Sequence, residues 1–190
     1  MKKRRFLFIL AVTAVFAGQA CNNNNSSKTN STKQAEDINK QKEMVITDVP
    51  DFMVKAAEGG MTEVELGNLA RKNGKNPRVK AFGALMVRDH SKANSELKTL
   101  AASKNVTLPA TMSDEHLKHF DAMKKLTGDE FDKHYMDMMV NDHKEDIDLF
   151  DEVSKNSKDT EVKAFASRIL PILTTHLDSA KAINDAIKAR

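Results

Sequence analysis

The sequence predicts an all-α fold, a four-helix bundle made of two antiparallel hairpins with a long connection between them, and three observations predict it. Apolar residues recur at steps of three and four through four long segments, the spacing of one face of a 3.6-residue helix. With 190 residues, 5% aromatic, no Trp, seven Gly and four Pro, the composition suits one helical domain plus appendages. Finally, Met86-Val87-Arg88-Asp89-His90 returns almost letter for letter as Met139-Val140-Asn141-Asp142-His143. Two copies imply two equivalent helices, each with a histidine where an apolar residue is expected.

The chain begins with Lys2, Lys3, Arg4 and Arg5 ahead of an apolar run from Phe6 to Phe16 and the small residues of Ala17 to Ala20. Residues 1–20 therefore read as an export signal, too short in its apolar part to span a bilayer as a mature helix. Removing those four basic residues lowers the formal net charge from +3 to −1, so no nucleic-acid reading survives. The single cysteine, Cys21, follows at once in Gly18-Gln19-Ala20-Cys21. That position resembles a bacterial lipobox, in which the cysteine carries the lipid and the mature chain hangs from a membrane. Gly18 stands where such motifs usually have Leu, and cleavage after Ala20 without lipidation would leave an exposed thiol instead. Residues 21–47, rich in Asn, Ser, Thr, Lys and Gln, read as a flexible tether. Residues 48–190 form one domain.

The first predicted helix of that domain spans Asp51 to Lys72 and ends at Gly74, a natural left-handed cap. At ~100° per residue its apolar side centres on Met53, Ala57, Gly60, Val64 and Gly67, with Glu63 nearer that face than Glu65. Glycines inside a helix cost ~1 kcal/mol each against Ala, so Gly60 and Gly67 suggest close approach of a neighbouring helix or a bound group, or a plain loosening of the helix. The second helix opens at Asn76-Pro77, cap followed by first-turn proline, with the stripe Val79, Phe82, Met86, His90, Ala93, Leu97, Leu100. Only a few residues connect these two helices, which must therefore run antiparallel. Asn105 to Gly128 is a longer passage with a short helix capped by Ser113, long enough to carry the chain back along the bundle. The next helix begins near Asp129 with Phe131, Tyr135, Met139, His143, Ile147 and Phe150. The last is capped by Asp159 and carries Val162, Phe165, Ile169, Leu173, His176, Ala180, Ile183 and Ile187, with Pro171 expected to kink it or to free a carbonyl one turn earlier.

Glu63, His90, His143 and His176 fall near the middle of their helices. Packed helices of similar length bring their midpoints to one level within a turn of ~5 Å, so these side chains can converge. Imidazoles with Glu63 or Glu65 are ligands suited to one transition metal ion, Zn, Fe, Mn, Ni or Cu. Asp89, Asp142 and Asp146 stand close in sequence to the histidines and could orient their second ring nitrogens. The alternative is a purely hydrogen-bonded histidine network, and Asp89, Asp142 and Glu65 are then solvated surface charges. Met86 and Met139, one turn before two of the histidines, read as core. His116 and His119 on the short helix are three apart but peripheral, and substitution of His116 is expected to change neither stability nor metal uptake. Motifs for nucleophilic catalysis or phosphate binding are missing from the sequence.

Glu58-Gly59-Gly60-Met61-Thr62-Glu63-Val64-Glu65-Leu66-Gly67, Val79-Lys80-Ala81-Phe82 and the two Asp-His motifs resemble a bacterial family of unknown function. The resemblance extends through Phe131-Asp132 and Leu170-Pro171 to His176, covering nearly all of residues 51–190. It implies a ferritin-like four-helix bundle and an exported protein of the cell envelope, facing the periplasm and anchored to the outer membrane, and it implies no reaction. Oxidising di-iron bundles carry Glu-x-x-His on two helices. Here Val87 and Val140 stand three before His90 and His143, so iron oxidation by that route is not expected.

Two readings of function remain, with binding preferred to catalysis. One is a lipid-anchored bundle that holds a transition metal for storage, delivery or sensing. The other is an envelope structural or stress-related interaction protein whose histidines only bond to one another. A metalloenzyme would need an open coordination position and a water-accessible pocket. The membrane is the partner that the anchor implies, and neither protein partners nor self-association is specified by the sequence.

Overall fold

Polar caps fix where the helices start. The Asn76 side chain accepts from Arg78 N–H with Pro77 at the first helical position, Ser113 Oγ accepts from His116 N–H, and Asp159 accepts from Glu161 and Val162 N–H, each meeting a donor that the first turn leaves free. A computed structural model describes residues 31–41 and 48–189, in six helices: α1 (Ser31–Gln41), α2 (Asp48–Asn73), α3 (Pro77–Ser103), α4 (Asp114–Met123), α5 (Gly128–Asn156) and α6 (Thr160–Lys188). The fold is all-α, and among the described residues no strand forms, only an isolated bridge between Gly74 and Gly128. The export signal expected at residues 1–20, the lipidation expected at Cys21, and the parts of the expected tether at residues 21–30 and 42–47 lie outside the described residues.

The tether reading is corrected where the chain is described, because residues 31–41 are helix α1, packed on α2. Ala35 and Asn39 are buried, the Asn39 amide exchanges hydrogen bonds with the Thr107 backbone at 3.0 and 2.7 Å, and Ser31 Oγ accepts from Ala110 N–H at 2.7 Å. A polar segment can be ordered this way when its side chains satisfy backbone groups of the connection beneath it.

In the bundle α2 packs chiefly on α3 and α5 on α6, with α2 against α5 and α3 against α6 closing the ring. Phe52 near the start of α2 meets Phe150 near the end of α5 with ring centroids 5.0 Å apart, and Asn73 at the end of α2 donates to Leu126 O just before α5. These helices are therefore antiparallel. The connection from Ser103 to Gly128 travels the length of the bundle, as its length suggested, with α4 laid over α2 and α5.

Gly74 does not take the expected left-handed conformation, since the one glycine of positive φ among the described residues is Gly128, at 65°. The turn is closed instead by buried Asp132 of α5, whose carboxylate accepts from Lys75 and Asn76 N–H at 2.7 to 3.3 Å. A Cβ at Gly74 would lie 2.7 Å from Ala70 O and 3.0 Å from Asp132 Oδ1, so glycine is needed there for space. The internal glycines do mark close approach. A Cβ on Gly67 would stand 2.7 Å from Gly83 O, and one on Gly83 2.7 Å from Gly67 O. Helix α6 continues unbroken through Pro171.

The core has two apolar halves. One contains Phe52, Met53, Leu97, Phe150, Phe165 and Leu173; the other contains Leu66, Phe82, Met86, Tyr135, Met139 and Ile183. Along α3, α5 and α6 the histidines fall between the two halves, and Glu63 falls between them along α2.

Candidate metal centre

His90 follows Met86 by one turn on the stripe of α3, His143 follows Met139 on α5, and His176 follows Leu173 on α6, so the packing that buries those apolar side chains carries the imidazoles inward as well. They are 6%, 0% and 2% exposed, and Glu63 is 2% exposed. Ring centroids are 5.4 to 5.7 Å apart, and each imidazole offers a nitrogen such that all three lie within 4.8 Å of one another. Phe82 lies against His143 and His176 on the side of the second apolar half, with centroids at 6.4 and 6.5 Å.

Two of the histidines turn one nitrogen to a hydrogen-bond acceptor, and the third has a carboxylate beside it. His143 Nδ1 lies 3.0 Å from Met139 O, His176 Nε2 lies 3.0 Å from Asp89 Oδ2, and His90 Nδ1 lies 2.7 Å from Glu63 Oε2. Three nitrogens are left over: His90 Nε2, buried without a hydrogen-bond partner, and His143 Nε2 and His176 Nδ1, 3.3 Å apart. With N–H groups on the outward nitrogens, both nitrogens of that 3.3 Å pair carry lone pairs. Filling all three contacts of the line Met139 O, His143, His176, Asp89 with hydrogen bonds takes three protons on two rings, which means one imidazolium. Burial opposes that charge, pushing His143 and His176 below the usual histidine value and His90 down to about 4. A cation between the rings removes the conflict, since two nitrogens bound tetrahedrally at 2.0–2.1 Å stand about 3.3–3.4 Å apart. The donor set thus fits a transition metal, with the acceptors behind the rings fixing their orientation.

Of the carboxylates singled out from the sequence, Glu63 joins the histidines and Glu65 does not. Glu65 is exposed, because two residues along a helix turn the side chain by about 200°, and it is corrected out of the centre. Glu63 also approaches His143 Nδ1 to 3.3 Å through Oε1, yet neither oxygen has an aligned hydrogen-bond donor. Burial raises its carboxyl to about 6 against the opposing effect of His143. Asp89 reaches His176 and is held below its usual value, chiefly by the hydrogen bond from Arg88. Asp142 and Asp146 make no ring contact. They line a cleft of about 370 Å³ between α2, α4 and α5, together with Glu58, Glu63, Glu145, Lys55 and His116. Burial raises Asp142 to about 7 and Asp146 well above the carboxylate range, and the Glu63 charge adds to both.

His116 is less peripheral than its place on a short helix suggested. Its Nδ1 lies 2.8 Å from Glu58 Oε1, and Glu58 also accepts from Ser113 N–H and from the Thr32 hydroxyl. Glu58 thereby ties α1, α2 and α4 together. It stands in the Glu58-Gly59-Gly60 stretch, but no spacing rule connects it to a partner 58 residues away. His119 is exposed, as expected. Val87 and Val140 occupy the positions where a di-iron site needs glutamates.

The profile of a protein family described as Domain of unknown function (DUF4142) matches residues 31–183. No curated protein and no solved structure matches the chain.

Proposed function

Taking as premise that the chain belongs to the DUF4142 family, we propose that it is an exported, lipid-anchored bundle that binds one transition metal ion through His90, His143 and His176. The observation that carries this reading is the arrangement of three buried imidazoles that bring one nitrogen apiece within 4.8 Å of one another, with Met139 O and Asp89 oriented behind His143 and His176 and the Glu63 carboxylate beside His90. Zn, Fe, Mn, Ni and Cu all accept such ligands. Three protein nitrogens leave a tetrahedral ion one further position, which suits uptake and release in storage, delivery or sensing. Residues 1–20 and Cys21 support the envelope location, with the domain facing the periplasm and held at the outer membrane through its lipid.

A second reading is favoured by one distance. The 3.3 Å between His143 Nε2 and His176 Nδ1 is also a hydrogen-bond length, and a protonated pair balanced by Glu63 would make the layer a polar network in a structural or stress-related envelope protein. Elemental analysis separates the two. The chain purified without a histidine tag should hold, or take up from Zn, Cu, Mn or Fe, one equivalent per chain, and His143→Ala should hold none. Metal that stays sub-stoichiometric after incubation would overturn the metal reading.

A further inference from the structure

We propose that the cleft walled by Glu63, Asp142, Glu145 and Asp146 is the loading site of the histidine centre, where a hydrated divalent transition-metal ion collects before Glu63 passes it to the rings. This rests on the metal-binding reading and adds the route by which the ion arrives.

Charge is the first support. Five carboxylates line the cleft against two basic groups, Lys55 and His116, and His116 is engaged by Glu58 at 2.8 Å. That leaves Lys55 as the one other basic group on the wall where Glu63, Asp142, Glu145 and Asp146 crowd together, and a dication would relieve the crowding. Size is the second. At about 30 Å³ per water, an ion with six waters occupies roughly 200 Å³, which the cleft of about 370 Å³ admits.

Glu63 is the third and independent support. It is 2% exposed and forms part of the cleft wall, and both its oxygens lack an aligned hydrogen-bond donor, since the His90 and His143 nitrogens at 2.7 and 3.3 Å stand off the hydrogen-bond direction. A buried carboxylate left so is costly, and a cation approaching through the cleft is a ligand that would relieve it. The three imidazoles are not walls of the cleft. Glu63 lines the cleft and also lies against the rings, reaching His90 Nδ1 at 2.7 Å and His143 Nδ1 at 3.3 Å. With Asp146 and His90 it also lines an inner cavity of about 20 Å³, room for one water or a bare ion. Gly59 keeps the cleft open, since a Cβ there would have one neighbour within 4 Å, Asp146 Oδ1 at 3.6 Å.

The test is stopped-flow mixing of Co2+ with the metal-free full chain, following the visible bands of the tetrahedral nitrogen-bound ion. Asp142→Asn/Asp146→Asn should slow association about tenfold or more at low ionic strength and weaken its salt dependence, with the final Co2+ per chain unchanged. Gly59→Leu should slow it with every charge kept, while Glu130→Gln/Asp185→Asn, which removes two exposed charges away from the cleft, should leave the rate alone. Unchanged rates in the cleft variants with full final binding overturn the loading site and leave the histidine centre standing. Loss of bound Co2+ in the Asp variants makes those carboxylates ligands and also overturns it. A wild-type chain that binds no Co2+ overturns the centre and its loading site together.

Discussion

A histidine on an apolar stripe is defined by what its far nitrogen touches, and here the three answers differ: a backbone carbonyl for His143, Asp89 for His176, Glu63 for His90. That the rings would be buried was legible from their steps along each helix. Which nitrogen faces inward was not, because ring orientation depends on acceptors from other turns and other helices. Helix projection alone does not separate Glu63 from Glu65; packing does, burying the first and exposing the second. The pair His116 and Glu58 illustrates the reverse error, an apparently peripheral histidine that neutralises a buried carboxylate. Burial alone would raise Glu58, but hydrogen bonds from His116, Ser113 and Thr32 outweigh it and hold the carboxyl at about 2, while His116 is raised. Glu58 stabilises the fold above its unfolded value of 4.5, an effect lost as pH falls toward 2; His116 stabilises it below 6.5, an effect lost as pH rises through its higher folded value. His116→Ala should therefore cost about 1 kcal/mol, with the largest deficit between pH 4.5 and 6.5 in urea melts. A deficit that does not vary with pH would show that the pair contributes by shape alone.

At the scale of elements, starts were more readable than ends. Asn76, Ser113 and Asp159 act within their own first turns, so neighbouring letters suffice to find them. The end of α2 is set by Asp132, more than fifty residues away, and Gly74 could not disclose that. Helix α1 is not legible in the sequence because its buried positions, Ala35 and Asn39, make no apolar stripe; its order comes from hydrogen bonds to Glu58, Thr107 and Ala110. The glycines give a sharp contrast. Gly67→Ala would put a Cβ 2.7 Å from Gly83 O and 3.2 Å from Met86 Cβ, and backbone cannot yield as a side chain does. It should destabilise by about 1–3 kcal/mol in spite of the ~1 kcal/mol gained in helix propensity. Gly59→Ala should keep that gain, since its Cβ meets one atom at ordinary contact distance. Equal melting temperatures for the two variants would contradict the close α2–α3 approach.

Over the whole molecule, a polar layer divides one bundle into two apolar halves. Uncompensated, such a layer costs free energy, because neutral imidazoles and a carboxylate leave water without full replacement of their hydrogen bonds. A ligand that binds only the assembled layer should return it. At a free Zn2+ concentration 100 times Kd, linkage predicts a gain of about 2.7 kcal/mol. Calorimetry should show that rise in the wild type and in His119→Ala, and should not in His176→Ala. A rise that survives His176→Ala would place the ion elsewhere.

The sequence by itself determined the helical class, the caps of α3, α4 and α6, the antiparallel pairing of α2 with α3, and the burial of His90, His143 and His176, since each follows from residue types within a few turns. Tertiary structure alone decided that Glu63 joins those histidines while Glu65 meets solvent, that Asp132 closes a distant turn, and that Asp142 and Asp146 border a cleft instead of supporting the rings. The reason is physical: helix periodicity is a local property, whereas the partner of a buried polar atom is chosen by which elements pack against it.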